Sequence, residues 1–485
     1  MTWWLDPARR RRAGTVPGMS PRRARVLAIA VAIVAAACAP GPSLDQATGP
    51  AGPTTLAPTT TRPAPESTPP PTAPFDVPTP EVAPLDLFPV APDDLPPFGP
   101  VDGRIALHGS TAQVRSGGAT IDLDAGTLPG QPTWSRDGGR LAVVSFDGRQ
   151  PVLDVFDGET GELIAAATTE RRYFFLSWSH DGSRLAGLGP GTDENGDPRT
   201  VLDILDADGG LLHGDVARAE SLFVAWEPDG LRLAAHVDDR LIRVDADGTT
   251  TDLGAVGTEF FAPKWIPSTD EIVLVTEIEG SSFIVRRSID GADRLRSLGP
   301  AEPRLGISVA PQGTVAAISR NFDTESEPSA ERIGLPFLPQ TARTSSGLVE
   351  ILDLETGERV EVFAGFTLWV EWNPAGTHLL IYEANAEEGT GTWWTYEHRP
   401  GQEPAPALEI VAFTPTPIFE QSYLVFADQF VETPRLWSPD GTRFVYAELT
   451  EAGSLIRTAA ADGIATPAIV GAGEVGFWSP PRPPR

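Results

Sequence analysis

The residues able to carry chemistry are few and scattered. One loop, Asp193-Glu194-Asn195-Gly196-Asp197-Pro198, has the D-x-N-x-D spacing that can present oxygen ligands to Ca²⁺. An EF-hand would need Glu at its twelfth position, where Ile204 stands. Asp, Asn and Gly are also the residues turns select, so the loop reads as a polar connection between two strands. Six histidines occur, at 108, 180, 213, 236, 378 and 398, and none forms H-E-x-x-H or another close ligand pair. His180 fills a turn position and reads as a solvated turn residue. The sequence has no G-x-S-x-G elbow, no phosphate-cradling P-loop and no G-x-G-x-x-G between a strand and a helix. No catalytic, cofactor-binding or metal-ligating residue is assigned, and no cofactor is expected.

The single cysteine, Cys38, excludes an intramolecular disulfide, Cys-rich zinc sites and Cys-His catalysis. Its surroundings give it another role. Four Arg at 9–12 and Arg22, Arg23 and Arg25 precede the apolar run Val26–Ala37, which suits a signal peptide and is short for a membrane span. The run ends Ala35-Ala36-Ala37-Cys38, which resembles the lipobox of bacterial lipoproteins, although Ala35 stands where Leu is usual. The resemblance implies lipid attachment at Cys38. Cleavage after Ala37 without lipidation and an uncleaved anchor remain the alternatives, and Met19 competes with Met1 as the start. Residues 1–38 are thus expected to be a signal segment, and residues 39–100, with 19 Pro, a disordered tether.

Charge narrows the partners. The chain carries −29, and loss of residues 1–37, with seven Arg and one Asp, removes six positive charges and leaves −35. Such acidity argues against nucleic acid and against adsorption to anionic lipid head groups. Membrane contact is therefore expected only through the N-terminal lipid.

From residue 101 onward the sequence repeats. A turn motif recurs at Trp134-Ser135-Arg136-Asp137-Gly138, Trp178-Ser179-His180-Asp181-Gly182, Trp226, Trp265, Val309, Trp372, Trp437-Ser438-Pro439-Asp440-Gly441-Thr442 and Trp478. In its fullest form Pro presets φ, Asp bonds the backbone ahead of it and Gly supplies φ > 0. Between copies lies a second motif, strand–polar turn–strand, clearest at Val152–Leu163 and Val349–Val360. The intervals of 44, 48, 39, 44, 63, 65 and 41 residues, with four strands per unit, predict an all-β β-propeller over 101–485. Eight blades are expected, and seven if the Val309 or 372–437 region fails to form one. The array opens on a turn remnant and B strand (residues 102–107) and closes on an A strand (475–479), so the two termini should share one blade and close the ring. The seven Trp are expected to pack between blades.

The W-S-P-D-G-T and W-S-H-D-G-S-R-L-A forms resemble the TolB-like, WD-repeat-like β-propeller repeat, which also occurs in prolyl oligopeptidase-type and dipeptidyl-peptidase-type enzymes. The resemblance implies the fold and leaves function open. Those peptidases carry an α/β-hydrolase domain, for which this sequence has neither motif nor room.

Two insertions break the repeat, 322–346 and 408–433, the second holding Phe413, Phe419, Tyr423, Phe426 and Phe430. With the Asp193 loop they fall on connections that share one propeller face, where a protein, peptide or envelope-polymer ligand is expected. The alternative is that the insertions are neutral and their aromatics pack back on the rim. Glu170, Arg171, Arg172, Tyr173, Glu220, Glu259 and Arg304 are candidates for the channel rim on that face. The favoured expectation is a monomeric, extracytoplasmic, lipid-anchored binding or scaffold module, or else a secreted one. The alternative is a propeller-channel hydrolase or lyase.

Overall fold

The computed structural model describes residues 97–480 apart from 128, 229, 257–261, 292–294, 302–304, 324–344, 386–387, 432 and 434. The signal segment with Cys38, the tether up to residue 96, the rim candidates Glu259 and Arg304, and most of the 322–346 insertion lie outside the described residues. Among those described, the strands form seven four-stranded sheets and one three-stranded sheet, all antiparallel and arranged as the eight blades of a propeller. The Val309 and 372–437 regions both form blades, which settles the count at eight.

Blade 1 joins the chain ends. Its inner strand A is Val475–Trp478, and strands B, C and D are Val101–His108, Ala112–Gly117 and Ala119–Asp122. Strand A pairs with strand B through Ile105↔Trp478, Ala106↔Phe477, Leu107↔Gly476 and His108↔Val475. The expected clasp is therefore present, and it covers the edge that strand B would otherwise expose.

The recurrent turn has the chemistry its residues imply. Ser438 Oγ donates to Asp440 Oδ1 at 2.6 Å, Asp440 Oδ1 accepts the Thr442 N–H at 3.1 Å, and Gly441 sits at φ +70°. Ser135 with Asp137 and Ser179 with Asp181 repeat the first bond at 2.6 and 2.7 Å. His180 is an exposed member of its turn.

All seven motif Trp are buried, and six do more than fill space. Each indole N–H donates to the inner strand of the preceding blade: Trp134 to Phe477, Trp178 to Thr133, Trp226 to Ser177, Trp265 to Ala225, Trp372 to Ser308 and Trp437 to Glu371, at 2.9–3.1 Å. The acceptor is always the carbonyl one residue before the equivalent Trp, or before Val309 in blade 6. A large apolar wedge with one polar tip can bury area and also satisfy a carbonyl of a neighbouring sheet. Trp478, at the seam, is buried, and its N–H has no acceptor among the described residues.

Arginine adds a second set of ties. Arg140 Nη1 reaches the Ala207 carbonyl at 2.7 Å and Asp208 at 2.8 Å in blade 3, and Arg286 reaches the Leu354 carbonyl and Glu355 in blade 6 at 3.1 and 3.2 Å. A guanidinium can serve a carbonyl and a carboxylate together, which suits Arg better than Lys to this work.

Candidate functional site

Strand alternation sorts the side chains of each strand A onto two sides of its sheet. Residues one and three before each motif Trp share a side of strand A, opposite to the Trp. Thr133, Ser177, Lys264, Glu371 and Phe477 hold the first of these positions, and Gln131, Phe175, Ala262 and Trp369 the second. Phe175, Ala262, Lys264, Trp369 and Phe477 among them meet the segment that follows blade 7.

The centre is filled by the chain itself. Strand D of blade 7 (Leu408–Phe413) takes up the first residues of the expected 408–433 insertion, and residues 414–431 hold three short helical turns, Phe419–Tyr423, Leu424–Phe426 and Ala427–Phe430, before blade 8 begins. Phe419 packs on Trp369 of blade 7 with ring centroids 6.1 Å apart, Tyr423 on Phe477 of blade 1 at 5.3 Å, and Phe430 edge-on to Phe175 of blade 3 at 5.4 Å. The Ala427–Phe430 turn lies against strand A of blade 6, Leu305–Val309. Only a segment on the axis can touch inner strands of so many blades. Phe413, Phe419, Tyr423 and Phe430 are buried, and Phe426 alone of the five is exposed, so four of these aromatics pack into the propeller.

Polar contacts fix this plug in rotation. Gln429, 4% exposed, pairs with the backbone of Val224 in blade 4: the Val224 N–H donates to Oε1 at 2.8 Å, and Nε2 donates to the Val224 carbonyl at 2.9 Å. Inner strands present unpaired backbone groups to the channel, and this amide replaces the missing neighbour strand. In blade 5, Asp428 accepts the Ala262 N–H and lies 3.5 Å from Lys264 Nζ, which also donates to the Asp428 carbonyl. Lys264 is the only lysine in the chain and is 0% exposed. On blade 2 the side-chain polar atoms of Gln131 and Thr133 are buried without a hydrogen-bond partner among the described residues.

Glu371, in strand A of blade 7 (Thr367–Trp372), is a buried carboxylic acid. Its Oε2 accepts the Trp369 indole N–H at 3.1 Å, and its Oε1 accepts the Leu436 N–H at 3.2 Å. Burial pushes its carboxyl up to about 8, with those hydrogen bonds opposing the shift.

The rim candidates divide. Arg171 and Tyr173 turn back onto blade 3: Arg171 Nη1 and Tyr173 Oη both donate to Asp203 Oδ2 at 2.9 Å, and Arg171 Nη2 reaches Asp215 at 3.0 Å. Burial, then the Asp203 charge, pushes the Tyr173 hydroxyl up. Glu170, Arg172 and Glu220 are exposed. The Asp193 loop is a connection between strands B and C of blade 3. Asp193 Oδ1 accepts the N–H groups of Asn195 and Asp197 at 2.9 and 3.0 Å, and Oδ2 pairs with Arg199 at 2.8 Å. Its oxygens are thus engaged within the loop. His108 is buried in strand B of blade 1, its Nε2 2.8 Å from the Pro129 carbonyl, and burial lowers its pKa. Among the described residues no three His, Cys, Asp or Glu gather as a metal site.

Sequence reading missed the plug. Its signal was present: Phe419, Tyr423 and Phe430 follow a helical period of four and seven inside a chain of alternating strands. The Lys264–Asp428 and Gln429–Val224 contacts had no local signal.

No family model and no curated protein sequence matches this chain. Solved structures do resemble it. A eukaryotic initiation factor structure is 14% identical over 79% of this chain and 100% of that one, with a TM-score of 0.50. TolB from Acinetobacter baumannii is 14% identical over 72% and 82%, with a TM-score of 0.36. An oligogalacturonate lyase in complex with manganese is 14% identical over 76% and 98%, with a TM-score of 0.46. At these identities the likeness is one of fold.

Proposed function

We propose that this protein is an exported, lipid-anchored propeller that works as a binding or scaffold module for a protein, peptide or envelope polymer. The observation that carries this reading is the plug. A channel enzyme needs its axis open to substrate, whereas here Phe419, Tyr423, Gln429 and Phe430 fill the axis and are buried as a core is. Recognition then falls to the loops and edges of the ring, as is usual for a rigid scaffold. The anchor rests on the arginine-rich, apolar run ending at Cys38.

The test has two parts. Mass spectrometry of the mature N-terminus should find a diacylglyceryl group on Cys38, and a free amine just after Ala37 would replace anchoring by secretion. The full chain should retain envelope polymer or solubilised envelope protein in a sedimentation assay without degrading either. Turnover of an envelope polysaccharide by the purified chain would sink the binding reading.

A further inference from the structure

The outer strand of every blade has one backbone edge that its own sheet leaves unpaired, a template for pairing that proteins guard with charge, proline or a cover. Six outer strands here carry a charged residue, among them Asp122, Asp215, Asp252, Arg296, Glu361 and Glu409. Two carry none. One is Ala468–Ala472 of blade 8, and the chain covers it: the Gly99 N–H donates to the Ile469 carbonyl at 2.8 Å. Arg115 holds that cover by donating to the Gly99 carbonyl at 3.0 Å, with its guanidinium 5.6 Å from the Phe98 ring. The other is Leu163–Thr168 of blade 2, Leu-Ile-Ala-Ala-Ala-Thr, with no charge, proline or glycine and no residue buried. Leu163 and Ile164 are 47% and 45% exposed.

We propose that the Leu163–Thr168 edge is a docking site for an extended, basic segment of another protein, which adds a strand to blade 2. The covered edge of blade 8 shows one kind of occupant such a strand takes in this fold, a stretch of chain held by a backbone hydrogen bond. Strand addition supplies affinity through the main chain and selectivity through alternate side chains. The small Ala165, Ala166 and Ala167 let a partner backbone approach closely. Charge selects the partner: Glu159 and Glu162 stand exposed at the start of the strand, and the whole chain carries −29. A second copy would bring the same acidity, and residues 39–96 are proline-rich and acidic, so neither suits the site.

This inference rests on the binding reading above and names the partner's class. The probe is a fluorescein-labelled peptide of alternating Val and Thr with Lys at both ends, titrated against the full chain. Anisotropy should saturate, amides within 163–168 should exchange more slowly with peptide bound, and Ala166→Lys should weaken binding at least about tenfold. Leu408→Lys, on the exposed start of a guarded strand, should leave binding unchanged. Ala166→Pro should also abolish binding, and the Lys variant keeps the test decisive should the Pro variant misfold. Absence of saturable binding, equal binding by Ala166→Lys, or equal binding of a peptide with Glu in place of Lys would overturn the proposal. Sedimentation showing a dimer of the chain that Ala166→Lys dissociates would overturn it in favour of a second copy. If the peptide fails while the chain still retains envelope polymer, the edge assignment falls and the binding reading stands.

Discussion

Gln429 and Val224, 205 residues apart, meet as two adjacent strands would: one N–H donates at 2.8 Å and one carbonyl accepts at 2.9 Å, through a side-chain amide. Both partners are buried, so removing the amide strands two backbone groups in a site without bulk water. Gln429→Leu keeps the approximate volume and should cost about 2–4 kcal/mol, since each orphaned buried group costs about 1–3 kcal/mol. The urea midpoint should fall at unchanged slope. A loss below about 0.5 kcal/mol, the range of surface substitutions, would show that the amide does not hold the plug.

Lys264 and Asp428 link plug to wall by charge. Asp428→Ala leaves the buried ammonium without this carboxylate and should destabilise by about 3–5 kcal/mol, the cost of breaking a buried pair from one side. Lys264→Met with Asp428→Leu should recover most of that loss. The single lysine also supplies a direct readout. An amine-reactive reagent should leave Lys264 unmodified in the native chain and label it in Asp428→Ala, by peptide mapping. Equal labelling in both would contradict a closed axis.

Glu371 should give stability a pH dependence of definite sign. Its ordinary value is 4.5, and burial raises the folded value to about 8. Between those values the unfolded chain has released a proton that the folded chain keeps, so this group's contribution to stability falls as pH rises and levels off above about 8. Glu371→Gln removes the slope and keeps an acceptor for Trp369 or Leu436. The variant should gain on the parent by a few kcal/mol between pH 5 and pH 8, at about 1.4 kcal/mol per unit. Parallel pH profiles of the two urea midpoints would refute the assignment.

The clasp predicts a sharp dependence on the C-terminus. Truncation after Gly473 removes strand A of blade 1 and uncovers strand B from Ile105 to His108. It also removes the Phe477 carbonyl that Trp134 uses and the ring on which Tyr423 packs. The truncated chain should lose cooperative unfolding and elute as aggregates in gel filtration, because the opened ring presents the unpaired edge of strand B. A monomer with parent-like proteolytic resistance would show that the seam is dispensable.

Much of the fold was legible because its units are local. Ser438, Asp440 and Gly441 form their turn from residues within five positions, and Trp437 marks the end of a strand whatever lies opposite it. Arg171 and Tyr173 show the limit. Their position near an inner strand suggested the channel, yet Asp203, some thirty residues on, draws both back onto blade 3 because a buried carboxylate needs donors.

The sequence by itself determined the propeller, its strand order and the shared terminal blade, and favoured eight blades over seven, since period, alternation and turn chemistry repeat within each forty-residue unit. The tertiary structure alone decided the state of the axis. Residues 414–433 interrupt the repeat in sequence, and whether they stand on a face or enter the ring depends on partners such as Val224 and Ala262, 205 and 166 residues away. No local pattern encodes such pairs. Burial of the aromatics, and the unpaired inner edges that the plug satisfies, come into being only once the ring has closed.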